Sequence, residues 1–276
     1  MAVLIPCFNA GELLWEAVNS VGQEEPIELL VIDDASDDPA TRLVLDVLEA
    51  GGTRILRHAT NQGAAAARTA GLAVTSAPYV FPLDADDLAV PGAITEAADR
   101  LDAAPDAVAC VGHYQEFGRS RFVRQVPDVL DPYRLAYNND YPVTSLFRRT
   151  ALERAGGWRD PIPEHPAYED WNLWMSLAET GGRIVHLGPD RVIYWRRLHS
   201  PAFKALTERP HADLYRALRA GHPELFGRLA EHRRSSGLGP LRKLAYPLLF
   251  GERRRVRGQR AIKPWLDRAG LWTGRR

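Results

Sequence analysis

The stretch VFPLDADDL, residues 80–88, decides how this chain is read. It opens as an apolar run with a β-branched and an aromatic residue, which predicts a buried strand. It closes on Asp84, Asp86 and Asp87. Carboxylates that close repel one another and raise each other's pKa unless a cation sits among them. An oxygen-only cluster suits Mg²⁺ or Mn²⁺, ions that commonly bridge a diphosphate to a protein. A strand that delivers Asp-x-Asp to its carboxyl end therefore reads as a metal–diphosphate site at the open edge of an α/β sheet. The competing reading is a polar loop whose first Asp caps the helix beginning near Pro91.

The flanking sequence supplies the sheet. Residues 2–5 form an apolar run ended by Pro6, and Leu13, Leu14, Ala17, Val18 and Val21 follow at helical spacing. Residues 27–32 read as a second strand with DDASDD (33–38) at its carboxyl end. A helix over 39–50 stops at Gly51-Gly52, residues 54–56 read as a third strand, and NQGAAAARTAG (61–71) opens an Ala-rich helix. This alternation predicts a Rossmann-like α/β fold, a mainly parallel sheet with helices on both faces. No Gly-x-Gly-x-x-Gly follows the first strand, which argues against a dinucleotide site. Beyond residue 93 the pattern loosens. Strands are expected near 107–111, 121–126, 145–147, 183–186 and 191–195, with helices over 93–103, 150–155 and 168–180. After residue 201 the chain reads as helical and basic.

A chain of 276 residues is long enough for one large domain with an extension. The formal charge is zero but lopsided: residues 201–276 carry 18 Lys/Arg against 6 Asp/Glu, so the rest of the chain is net acidic. A basic tail on an acidic body points to anions such as lipid head groups or nucleic acid. Cys7 and Cys110 make no disulfide framework. No secretory signal pattern opens the chain, and no stretch has the roughly 18–20 apolar residues of a membrane span. The expectation is a cytoplasmic protein, with the inner face of the membrane as a site of contact.

PCFN (6–9), IDDASDD (32–38), NQGAAAARTAG, LDADD (83–87), Gly156-Gly157-Trp158, Glu169-Asp170 and WRRLHS (195–200) occur in one order. Together they resemble a family-2 glycosyltransferase of the GT-A fold over roughly residues 2–200. The resemblance implies an inverting, metal-dependent transfer of sugar from a nucleoside-diphosphate donor, UDP-linked in the first instance. It implies that Pro6, Phe8 and Asn9 meet the donor, with Phe8 packing on its base. Asp34, with Asp33 beside it, would read the base's imino N–H, and Arg68 would contact base or phosphate. Asp84 would lie near ribose and metal, Asp86 would bind the metal, Asp87 would assist, and His199 would add a late-loop ligand that tilts the choice toward Mn²⁺ over Mg²⁺. Asp170 would be the catalytic base, Glu169 would position acceptor or base, and Trp158 would offer a face to the acceptor sugar. The expected division is 1–104 for the nucleotide, 105–204 for acceptor and catalysis, and 205–276 for the basic helical extension.

Two departures shape the expectation. The Gln-x-x-Arg-Trp motif of processive synthases is missing, which favours a single transfer to a glycan, lipid-linked or small-molecule acceptor. Ala35 stands where the family often has Gly, a change Ala tolerates if φ stays negative. Two other classes stay open, a non-catalytic sugar-nucleotide binder and a sugar nucleotidyltransferase; the latter wants a Gly-rich basic phosphate loop that PCFNAGE does not supply. The segment 241–260 mixes an apolar patch with an Arg run, and reads either as a contact with anionic membrane or as arginines paired to the acidic body. Nothing resembles a nucleic-acid module.

Overall fold

The computed structural model describes residues 1–21, 27–118, 121–198 and 211–252. The first half follows the expected alternation: β1 (Ala2–Cys7), α1 (Leu13–Val21), β2 (Glu28–Asp33), α2 (Pro39–Ala50), β3 (Arg54–Arg57), α3 (Ala64–Val74) and β4 (Tyr79–Pro82). Then come β5 (Leu88–Ala89), α4 (Ala93–Asp102), β6 (Ala107–Val111), β7 (His113–Phe117), β8 (Phe122–Arg124), α5 (Pro132–Leu135), β9 (Leu146–Arg148), α6 (Arg149–Ala155), α7 (Glu169–Glu179), β10 (Arg183–His186) and β11 (Val192–Arg197). The described tail adds α8 (His211–Gly221), α9 (Pro223–Gly227), α10 (Leu229–Ser235) and α11 (Pro240–Leu249).

Seven strands form the main sheet in the order β10-β6-β9-β4-β1-β2-β3. All its pairings are parallel except those of β9, which runs antiparallel to both β4 and β6. Alternate residues of β1 feed opposite faces: Ala2 and Leu4 join one core with α3, α6 and α7, while Val3 and Ile5 join another with α1, α2 and α4. Burial on both sides is why these strands read as unbroken apolar runs. Helix α3 lies close to the sheet because its residues are small. A Cβ on Gly71 would come within 3.0 Å of Ile32 and 3.1 Å of Leu4.

A second sheet, β5-β11-β7-β8, was not expected from the sequence. Strand β7 is only partly apolar, so the period-2 signal is weak there. The chain passes from the main sheet into the small one three times, at β4–β5, β6–β7 and β10–β11. The strand expected to deliver the aspartates is β4, and LDADD is the corner between it and the unexpected short strand β5. The described tail helices share a core with α5 and α7: Leu214, Tyr215, Leu218 and Leu225 are buried, and the Tyr215 hydroxyl donates to the Ala136 carbonyl at 2.7 Å. The division expected at 204/205 lies outside the described residues. Both cysteines are free and buried, their thiols pushed up to about 11 (Cys7) and about 12 (Cys110) by burial.

Ala35 corrects an expectation. Its φ is +62°, the left-handed region, where the Cβ crowds the backbone. Ala35→Gly is therefore expected to stabilise the fold by about 1 kcal/mol, the crowding relieved less the entropy that Gly adds to the unfolded chain. Chemical denaturation checks it, as a higher midpoint at unchanged slope.

Candidate active site

The corner after β4 gathers the carboxylates. Ligand oxygens of Asp84, Asp86 and Asp87 all lie within 4.8 Å of one another. The backbone N–H of Asp87 donates to the Asp84 carbonyl at 3.0 Å, closing a tight turn. Asp87 is buried, and it is pushed up to about 8 by burial first and then by Asp84 and Asp86. The backbone N–H of Arg197, 2.8 Å from its Oδ1, only partly counters that. Three crowded hard oxygens, one of them reluctant to ionise, are a donor set that Mg²⁺ or Mn²⁺ fits.

Arg68 ties this corner to the far half of the chain. Its side chain leaves α3 buried, with one terminal nitrogen 2.5 Å from Asp84 Oδ1 and the other 2.8 Å from Glu169 Oε1. Burial works to lower its pKa; the two carboxylates outweigh that and hold it above the ordinary arginine value. Each terminal nitrogen of Arg68 thus meets a carboxylate, and Nε is buried without a partner among the described residues.

Helix α7 brings the second carboxylate pair. Tyr168 precedes it at φ +65°, a strained conformation for a bulky residue, and turns Glu169 and Asp170 into the first helical turn. Asp170 accepts from the Trp171 backbone N–H at 2.7 Å and from Asn139 Nδ2 at 3.0 Å. Burial and then the Glu169 charge push it up to about 7, while Arg68 and Arg196 pull the other way. Arg196 enters from β11, its guanidinium 5.9 Å above the Tyr114 ring and in the field of Asp87 and Asp84.

The loops after β1 and β2 complete the same edge of the sheet. Phe8 is 50% exposed, so it is no core aromatic. Asn9 sits at φ +53° and is a clasp between the loops: its Oδ1 accepts the backbone N–H groups of Asp37 and Asp38 at 3.0 Å, and its Nδ2 donates to Asp37 at 2.7 Å. Pro6 is a strand residue, opposite Ile32. Asp34 is buried and already accepts from the Gln62 and Gly63 backbone N–H groups, with His58 Nδ1 at 2.7 Å. Asp33 accepts one such contact, from the Ser36 N–H at 3.0 Å.

Trp158 is a further correction. Positive φ at Gly156 and Gly157 turns the chain inward, and the Trp158 ring ends up 2% exposed, edge-on to Phe147. Its backbone pairs with the Thr69 hydroxyl, which donates to the Trp158 carbonyl at 2.9 Å and accepts from its N–H. No face is left for a sugar. His199 lies outside the described residues. Asn139 and His58 carry no signal in the sequence, since no local pattern marks a polar residue whose partner is remote; Arg196 and Arg197 stand in WRRLHS without a role assigned to them there.

Comparison with known proteins agrees with this architecture. A model of the family described as Glycosyl transferase family 2 matches residues 2–156. The succinoglycan biosynthesis protein ExoU of Rhizobium meliloti (strain 1021) is 30% identical over 209 residues, 73% of this chain and 58% of that protein. The chain spans less than two thirds of the length of the curated relatives it matches. Among solved structures, S. aureus TarS 1–349 in complex with UDP-GlcNAc superposes with a TM-score of 0.68 at 19% identity, over 98% of this chain and 78% of that one. The mannosyltransferase PcManGT from Pyrobaculum calidifontis in complex with GDP-Man and Mn²⁺ gives 0.55 at 20% identity, over 98% and 83%. At such identities the likeness shows the fold.

Arg68→Ala is expected to destabilise the protein by about 3 kcal/mol, because it strands the Glu169 and Asp84 carboxylates. Arg68→Lys keeps the charge but not two aligned donors, and recovers only part of that loss. Denaturant midpoints of the three proteins measure both.

Proposed function

Because the chain belongs to glycosyl transferase family 2, we propose that it transfers a sugar, with inversion and with a divalent cation, from a nucleoside-diphosphate donor to a hydroxyl of a glycan, lipid-linked or small-molecule acceptor. The observation that carries this reading is one buried guanidinium that bonds both Asp84, of the Asp84/Asp86/Asp87 cluster, and Glu169, the neighbour of Asp170. Residues 1–104 hold the nucleotide, and 105–204 hold the acceptor and the base. The division of labour follows the chemistry of each group.

Asp86 and Asp87, with the Asp84 oxygen not engaged by Arg68, hold the cation; His199 is the further ligand that would favour Mn²⁺. When bound, that cation offsets negative charge gathering on the departing diphosphate. Arg196, whose guanidinium already stands in the field of these aspartates, adds positive charge on the same side. Phe8 offers its exposed ring to the base, and Asp33 keeps acceptor capacity for an imino N–H. A uracil base is the first choice, and the UDP-GlcNAc held by TarS supports it. Asp170 takes the proton of the acceptor hydroxyl as the new carbon–oxygen bond forms and the bond to the diphosphate breaks. A base near pH 7 is well matched to that task. Glu169, anchored by Arg68, fixes the first turn of α7 and so the place of Asp170. The missing Gln-x-x-Arg-Trp motif supports one transfer per encounter. Among the described residues, no helix is long and apolar enough to cross a membrane.

Three outcomes are expected. First, one of UDP, dTDP, GDP or CDP raises the melting temperature with Mn²⁺ or Mg²⁺ present and not with EDTA, and Asp86→Ala abolishes the rise. Absence of any shift would sink the donor site. Second, Asp170→Asn loses sugar transfer by about 10²-fold or more while keeping the nucleotide-dependent shift. Third, kcat/KM depends on pH in a fixed direction. Asp170 is raised from the ordinary carboxylate range to about 7, so below that pH it carries the proton it should accept. The value should fall about tenfold per unit below pH 7 and level off above it. A flat profile from pH 5 to about 8 would remove Asp170 as the base.

A further inference from the structure

Helix α11 carries Leu241, Leu244 and Leu248, which are 76, 61 and 78% exposed. Spacing of i, i+3 and i+7 puts the three on one side of the helix. Tyr246 holds the other side: it is buried beside Tyr133 and Tyr137, and its hydroxyl donates to Asp140 at 3.2 Å. The leucine stripe therefore faces away from the body, and packing of the described chain does not account for it.

Its surroundings are basic. Arg242 and Lys243 lie on the polar side of α11, either side of Tyr246 and opposite the leucines, and α11 itself holds no carboxylate. Lys243 Nζ donates to the Arg234 carbonyl at 3.1 Å, which brings the exposed Arg233 and Arg234 at the end of α10 alongside. Beyond Glu252 the sequence adds nine Lys/Arg against one Asp/Glu, interspersed with Ile262, Trp265, Leu266, Leu271 and Trp272. Large apolar side chains among cations of one sign match the boundary of an anionic bilayer, where leucines enter the acyl region and arginines meet phosphates. Three leucines supply far less area than the roughly 1,200 Å² of a stable protein interface. We infer that α11 docks this protein on anionic phospholipid, leucine face down.

The docking has a consequence for the site. Tyr246 bonds Asp140, and Asn139 beside it holds Asp170, so the lipid-facing helix stands two contacts from that carboxylate. An acceptor carried on a lipid would then meet a protein already held at the same surface. This last step rests on the transferase reading; the docking itself does not.

Flotation of the full chain with vesicles of phosphatidylcholine, alone or mixed with phosphatidylglycerol, tests the inference without any sugar substrate. The wild type should float with the anionic vesicles only and be released by salt. The triple variant Leu241→Ser, Leu244→Ser, Leu248→Ser should bind about tenfold more weakly or worse, with an unchanged melting temperature, because these side chains are exposed. Arg233→Glu with Arg234→Glu should weaken binding to anionic vesicles as well. No flotation of the wild type would overturn the inference. So would equal flotation of the triple variant, which would place the lipid contact elsewhere. A wild-type dimer in sedimentation velocity that the triple variant dissolves would overturn it too, assigning the face to a second copy of this chain.

Discussion

One buried cation holds the working edge of this molecule together. The Arg68 guanidinium sits between Asp84, at the corner of two sheets, and Glu169, at the head of α7. A charge without water is tolerable only when paired, and here each partner comes from a different part of the chain. The small residues of α3 make the pairing reachable. With Gly71 against Leu4 and Ile32, the helix lies near enough to the sheet for its arginine to enter the cleft. Loosening that contact would separate the two carboxylate groups that the proposed chemistry needs together.

The pairing leaves negative charge in surplus. Glu169 and Asp84 share Arg68, whereas Asp86, Asp87 and Asp170 must look elsewhere. Burial first, and then the neighbouring charges of Asp84 and Asp86 at Asp87 and of Glu169 at Asp170, raise both far above ordinary carboxylates. The two consequences differ. Asp87 shares its crowding with two other aspartates, the set proposed to hold a cation, whereas Asp170 is held by Asn139, as the proposed base requires. Two carboxylates raised by different neighbours are a means of assigning different roles to one residue type.

Backbone strain gathers on the same edge. The non-glycine residues with positive φ among those described are Asn9, Ala35 and Tyr168. Asn9 and Ala35 shape the loops after β1 and β2, and Tyr168 turns the chain into α7. Such conformations persist only where the surroundings fix them. The Asn9 side chain does this by gripping the backbone of Asp37 and Asp38.

Local chemistry determined much of the protein. Strand–helix alternation follows from runs buried on both faces, and the aspartates of LDADD are neighbours in any conformation, so the sheet and its acidic corner were legible from residues alone. The helix over 39–50 and its Gly51-Gly52 stop carried their own signals, an Asp38 cap and a Pro39 start. Tertiary structure decided what depends on distance along the chain. Arg68 finds Glu169 across 101 residues, Asn9 clasps Asp37 and Asp38, and Trp158 is folded inward by two glycines. The small sheet escaped notice because its strands are short and mixed in polarity. Periodicity could mark α11 as amphipathic but not say which side meets the body; Tyr246 and Asp140 chose that. A sequence specifies which groups are close in the chain, and packing alone selects among the many distant partners each of them could satisfy.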